Sequence, residues 1–191
     1  MSARTQNRPH VLGIDDAPFD KSQDHEVPVV GVVMENATVV EGVAVTSFPV
    51  DGDDATGFLA RWIDALKWAP MLNAVVLGGI TIAGLGMIDI TQLAERLHIP
   101  VVAVTRRDTA DSDLDRALRA AGLRDRLDIL HRSPPAREIA ENLYAASAGT
   151  DQDTVDGIIL ATLNKARMPE PLRVAHLIGA ALVAGASHGK V

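Results

Sequence analysis

The sequence predicts a single mixed α/β domain, and three observations carry that expectation. A short apolar strand at 11–14 is followed by two long β-rich stretches, 27–34 and 39–50, a pattern that reads as an antiparallel meander. After residue 54 the apolar period changes from 2 to 3.6, and short buried strands at 74–77 and 101–105 alternate with amphipathic helices, as in parallel strands covered by helices. At 191 residues the chain suits one hydrophobic core, and no repeat, low-complexity tract or long linker divides it.

In chain order, Val11-Leu12-Gly13-Ile14 reads as a buried strand stopped by Asp15-Asp16-Ala17-Pro18. Residues 20–26 form a polar loop, and the next two strands meet at a turn over Glu35-Asn36-Ala37. From 54 to 69, Phe58, Leu59, Trp62, Ile63 and Leu66 share one helical face, with Asp53 or Asp54 placed as the N-cap. The strand at 74–77 ends in Gly78-Gly79. Ile90, Leu93, Ala94 and Leu97 trace a second helix ending at His98, and Leu114, Ala117, Leu118 and Ala121 a third, closed by Gly122. Residues 127–130 read as a strand, whereas 136–146 fit a helix or a strand. Val155, Ile158, Ile159, Thr162 and Leu163 mark a helix behind a Thr150-x-x-Asp153 capping box. Pro169-Glu170-Pro171 opens a helix over 172–183 that is apolar almost all round, which predicts central burial, with Gly179 allowing close packing.

Composition narrows the function. Aromatic residues are only 3%, so a base-stacking platform is improbable, and the absence of cysteine removes disulfides, thiolate metal sites and a Cys nucleophile. A net charge of −7 is the wrong sign for broad phosphate neutralisation, so any nucleic-acid role needs a local device such as a bound cation. Residues 1–9 are polar and lack a signal-peptide core; they read as a flexible N-terminus before a domain spanning 10–191. The longest apolar run, 177–186, is about half of the roughly 18 residues that a membrane span requires, and the expectation is a cytoplasmic protein with no membrane contact.

Two acidic clusters stand at element ends: Asp15 and Asp16 after the first strand, and Asp51, Asp53 and Asp54 between the third strand and the first helix. In a meander, strands one and three point the same way, so both clusters are expected at one sheet edge. Unit charges about 4 Å apart cost roughly 4 kcal/mol at an effective dielectric near 20. Solvation, a shared proton or a divalent cation would relieve that repulsion. An all-oxygen set suits Mg²⁺ or Mn²⁺. Taken separately, each cluster also reads as an ordinary strand exit or a turn with an N-cap. Strand alternation sends Asp15 and Asp16 to opposite faces, so only one of them can point into a shared site.

Taken together, Gly13-Ile14-Asp15-Asp16-Ala17-Pro18-Phe19, Val50-Asp51-Gly52-Asp53-Asp54-Ala55-Thr56, Gly79-Ile80-Thr81 with Gly84, and Pro169-Glu170-Pro171-Leu172-Arg173-x-Ala175-His176-Leu177-Ile178 resemble the archaeal DUF99 (UPF0215) family. That family is related to endonuclease V and associated with cleavage of deoxyuridine-containing DNA. The resemblance covers nearly the whole chain. It implies an RNase H-like fold, with a five-stranded mixed sheet of three antiparallel strands followed by parallel ones, flanked by helices. It implies a metal-dependent endonuclease of DNA repair, acting on deaminated, uracil-containing DNA or on RNA. By that resemblance Asp15 would be the central ligand, with Asp51, Asp53 and Asp54 the candidates for a second carboxylate. Joined with the clusters above, the expected metal ligands are Asp15, Asp16, Asp51, Asp53 and Asp54, with Asp15, Asp53 and Asp54 catalytic.

The sequence departs from the family pattern at two acids. Gly78 stands where the fourth strand usually ends in Asp, and Ala186 where the C-terminal motif carries Glu. Asp89, further along the same loop as Gly78, is the acid left to substitute. These departures keep open a second reading, a decayed nuclease homologue that binds nucleic acid or a protein partner. Three basic groups are candidates for substrate binding. His176 on its apolar helix is read first as a hydrogen-bonded core histidine, with substrate contact as the alternative. Arg173 could hold a carboxylate or a phosphate, with a structural role the commoner fate, and Arg106 could contact a backbone phosphate, although a solvated pair with Arg107 is the commoner outcome. The glycine-rich stretch 78–86 lacks the Lys-Ser/Thr of a P-loop and is no dinucleotide fingerprint.

Overall fold

A computed structural model describes residues 8–105, 111–165 and 167–188. β1 (His10–Asp16) pairs antiparallel with the valine-rich β2 (Glu26–Glu35), and β2 with the valine-rich β3 (Val39–Pro49), the β2–β3 turn being set by Asn36 at φ 53°. On the other side of β1, β4 (Ala74–Leu77) and then β7 (Val101–Thr105) pair parallel, each buried almost throughout. Between them lie a small separate hairpin, β5 (Thr81–Ile82) with β6 (Gly86–Met87), and helix α2 (Ile90–Leu97).

The sheet has seven strands in the order β3-β2-β1-β4-β7-β9-β8, two more than the five expected. The additional pair is β8 (Arg137–Ala140) and β9 (Leu143–Ala148), a hairpin turning at Asn142 with φ 59°; β9 runs antiparallel to β7. This settles 136–146 as strand. The stretch 127–130 is not a strand but the start of α4 (Leu127–Arg132). Leu127 and Leu130, three apart, meet Leu118 of α3 (Asp111–Ala120) and Met87, which is helical spacing.

Two layers of helix cover the sheet. Leu12 and Ile14 of β1 pack with Leu59 and Ile63 of α1 (Ala55–Asp64) and Leu93 of α2, each side chain contributing about 2 kcal/mol on burial. Val11 and Val76 meet Val155 and Ile159 of α5 (Gln152–Thr162) on the opposite face. The N-cap of α5 is Asp151, whose side chain accepts from Thr154 N at 2.9 Å, so the capping box starts one residue later than the Thr150 expected.

Helix α6 (Glu170–Ala184) lies on β1 and β2 on that same face. It is seated by two glycines. A Cβ on Gly13 would stand 2.3 Å from Leu172 N, and one on Gly179 would stand 3.2 Å from Ala17 Cα. Central burial all round is not what results, because Leu182 and Val183 are more than half exposed. Among the described residues no helix is long and apolar enough to cross a membrane.

Candidate active site

β1 delivers Asp15 and Asp16 at its C-terminal end, and the pleat sends them to opposite faces. Asp15 lies on the α6 side. Its Oδ2 is 2.8 Å from His176 Nδ1, a contact that the Gly13 and Gly179 seats of α6 make possible. His176 is therefore not the core histidine expected first: its side chain is 57% exposed, standing over a carboxylate that is 20% exposed. Burial raises Asp15 to a pKa of about 6; the hydrogen bond from His176 works against that rise, and the neighbouring Asp16 charge adds to it. Burial also raises Asp16.

Position 78 adjoins this pair. A Cβ built on Gly78 would lie 2.9 Å from Asp15 Oδ1, so an acid there would stand against Asp15. A cavity of about 10 Å³ is lined by Asp15, Asp16, Gly78, Thr81 and Ile82 with Ile14, Leu77 and Ile88. That is room for about one water or one small cation. Asp15 and Asp16 border this space from the two faces of the strand end, each with one oxygen already engaged by His176 Nδ1 or Ala83 N. The oxygens left could serve a single oxygen-preferring cation and fall short of what a pair would need.

Asp16 and Asp51 converge on the hairpin tip between β5 and β6. Asp16 Oδ2 accepts from Ala83 N at 3.1 Å, and Asp51 Oδ1 accepts from Leu85 N at 2.7 Å. Asp51 N in turn donates to Ala83 O at 2.9 Å. These clamps hold Ala83 at φ 48°, a left-handed conformation that a residue with a Cβ adopts at a cost of roughly 1 kcal/mol. Lys21, from the polar loop after β1, donates to both oxygens of Asp51 at 2.9 and 3.2 Å.

The expectation that all five aspartates share one spot is corrected by this geometry. Among the described residues no three His, Asp or Glu side chains are grouped to hold a metal. Chain direction does bring Asp16 and Asp51 to one edge, but alternation along β1 places Asp15 on the α6 face, while the β3–α1 connection leads to the other. Asp53 pairs with Arg126. Asp54 is the N-cap of α1, accepting from Gly57 N at 3.1 Å, and it faces Arg61 at 3.3 Å. Asp89 does not substitute at the centre: it caps α2 through Gln92 N at 3.0 Å and accepts from Arg132 Nε at 2.7 Å.

Arg173, one turn before His176 on α6, is held by the buried Glu170 through Nε and Nη2, at 2.9 and 2.6 Å to Oε2. That is the carboxylate partner, not a free phosphate binder. Arg106 and Arg107, Gly189 and Lys190, and the first seven residues lie outside the described residues. Lys21 and Arg126 carried no sequence signal, since both sit in unpatterned polar stretches. The pairing of His176 with Arg173, two polar groups three apart on an apolar helix, was the available hint.

Comparison with known proteins places this arrangement in a family. Residues 7–183 match the family model described as Endonuclease dU. A UPF0215 protein of Methanothermobacter thermautotrophicus is 33% identical over 183 residues, covering 94% of this chain and 90% of that one. A protein of unknown function from Archaeoglobus fulgidus superposes with a TM-score of 0.85 at 32% identity, covering 93% of this chain and 100% of the other. More distantly, Ciona intestinalis endonuclease V in complex with a 24mer DNA containing an inosine followed by a ribo-adenosine gives a TM-score of 0.55 at 13% identity, over 90% of this chain and 84% of that one. Streptomyces avermitilis endonuclease V gives 0.54 at 20% identity, over 88% and 82%. The fold is thus the RNase H-like fold of endonuclease V, with β1 central, Asp15 at its end and α6 across it. A match along almost the whole described sheet and through α6 makes the chain a member of the endonuclease dU family.

Proposed function

We propose that this protein is a divalent-cation-dependent endonuclease acting on deaminated, uracil-containing DNA in repair, with Asp15 at its centre. The observation that carries this reading is a buried carboxylate at the end of the central strand, raised to about 6, open to a one-cation cavity on one side and braced by an exposed imidazole on the other. Unused buried carboxylates are costly, and perturbed ones gather at functional sites. Membership of the endonuclease dU family, and the DNA-bound state of the Ciona neighbour, support a nucleic-acid substrate.

Asp15 and Asp16 would hold the cation, Mg²⁺ or Mn²⁺ by the oxygen-only chemistry of the donors, and Asp51, Asp53 and Asp54 would be outer acids of the same edge. When bound, the cation supplies charge stabilisation to a phosphodiester and its leaving oxygen, and it offsets the net charge of −7 that opposes DNA. His176, fixed through Nδ1, keeps Nε2 on the solvent side, where it can donate to a phosphate oxygen or hold a proton for the leaving group. The Asp15 contact fixes which ring nitrogen faces substrate.

Incubating the protein with duplexes carrying one deoxyuridine, or none, in Mg²⁺ and in Mn²⁺ tests this directly. Nicking of the uracil strand that disappears with EDTA and in Asp15→Asn supports the reading. Folded protein that nicks neither substrate with either cation rejects it.

One observation favours the second reading, a decayed homologue that binds without cutting. The position against Asp15 that would carry a further acid is Gly78, and Asp53 is neutralised by Arg126. If wild type is inactive, Gly78→Asp separates the two. Gain of nicking identifies a site lacking one ligand, and continued inactivity with retained DNA binding identifies a binding protein.

A further inference from the structure

The 3₁₀ turn Arg124–Arg126 places a guanidinium where none was expected. Arg126 is 5% exposed, yet the only carboxylate it meets among the described residues, Asp53, is 89% exposed in its side chain. Its other partners are backbone carbonyls: Nη1 donates to Leu85 O at 2.7 Å and Nη2 to Asp51 O at 2.8 Å. A buried cation compensated mostly by peptide dipoles is a poor source of stability, because desolvation of the charge is costly. Its worth lies in what the rigid fork joins.

Both carbonyls belong to residues already tied to each other. Leu85 gives its N–H to Asp51 Oδ1 and its C=O to Arg126; Asp51 gives its N–H to Ala83 O and its C=O to Arg126. The three residues close a ring around the β5–β6 tip, and the far side of that tip is the Ala83 N–H that holds Asp16. Thr81 and Ile82 of the same hairpin line the cavity beside Asp15. The other tie from this part of the chain, Arg132 Nε to Asp89 Oδ2 at 2.7 Å, reaches the start of α2 and not the tip itself.

We infer that Arg126 is a positioning residue: it locks the β5–β6 tip against Asp51 and so fixes the orientation of Asp16 beside the Asp15 cavity. Its role in catalysis rests on the nuclease reading, but its structural action does not. Loss of the fork frees Leu85 and Ala83, releases the left-handed strain at Ala83 and lets the Asp16 carboxylate rotate. Lysine cannot replace it, since one ammonium cannot span two carbonyls and a carboxylate in a plane.

The test measures amide exchange at Leu85 and Ala83 by NMR on the full chain, in wild type, Arg126→Ala and Arg126→Lys, with cleavage kinetics on the same samples. In both variants the two amides exchange at least about tenfold faster at matched global stability, the loss of roughly one hydrogen bond each. Cleavage loses about tenfold in kcat with KM changed less than about twofold, because the acid that moves serves the reaction and not docking. Arg126→Lys guards against a misfolded alanine variant. Wild-type exchange at both amides in either folded variant overturns the inference, and so does a kcat that follows only the loss of global stability. If wild type cleaves nothing, the nuclease reading fails by itself and the exchange rates still decide what Arg126 holds.

Discussion

His176 Nδ1 and Asp15 Oδ2 stand 2.8 Å apart although 161 residues separate them in the chain. The contact exists because α6 can descend onto β1 where Gly13 and Gly179 leave no side chain in the way. It couples the seating of a helix to the ionisation of a carboxylate, and the consequences can be measured.

The buried Asp15 makes stability fall as pH rises. Its native pKa of about 6 exceeds the ordinary 3.8, so between those values the native state holds more protons than the unfolded chain. The contribution is harmless below about pH 4 and costs up to about 2–3 kcal/mol above pH 7. Urea unfolding in EDTA is expected to show Asp15→Asn more stable than wild type at pH 8 and equal to it at pH 4. Equal stability at both pH values contradicts the burial cause.

Removing the imidazole should push Asp15 higher, since the His176 hydrogen bond lowers its pKa. In His176→Ala, a carboxyl-carbon NMR titration is expected to place the Asp15 midpoint above that of wild type. A midpoint that falls shows that the imidazole does not stabilise the carboxylate.

Gly13→Ala tests the seat of α6. A Cβ 2.3 Å from Leu172 N meets backbone, not a side chain that can rotate away, so the helix must lift. A loss of about 2–3 kcal/mol is expected in urea unfolding, with the Asp15 midpoint shifting as in His176→Ala. A variant as stable as wild type is incompatible with this packing.

Asp54 separates capping from charge. As the N-cap of α1 it sits at φ 52° with its side chain on Gly57 N. Asp54→Asn keeps an acceptor and tolerates that backbone, so stability should change by less than about 0.5 kcal/mol, whereas Asp54→Ala loses about 1 kcal/mol or more. Thermal unfolding of the two variants decides it. Equal losses would mean that the carboxylate charge matters more than the cap.

Much of this fold is readable because β2, β3 and β7 are rich in valine with turns where the chain must reverse, and because Leu59 with Ile63, and Ile90 with Leu93 and Ala94, follow helical spacing. The β8–β9 hairpin was not. Its second strand is covered on both faces, Leu143 and Ala145 packing on one and Ala146 and Ala148 on the other, so small apolar residues face both ways and no period of 2 stands out. At the site, Asp15 and Asp16 were visible as acids ending a buried strand, and their alternation was foreseen. What no local pattern carries is which partner each distant acid finds. Lys21 claims Asp51, Arg126 claims Asp53 and a helix start claims Asp54, and each is a tertiary choice.

The site stands or falls on whether Asp15 anchors a cation. Calorimetric titration of Mn²⁺ into wild type and Asp15→Asn at pH 7.5 is expected to show one ion per chain for wild type and none for the variant, with Gly78→Asp binding more tightly than wild type. Undiminished binding by Asp15→Asn, or no binding by wild type, would contradict a metal centre at the end of β1.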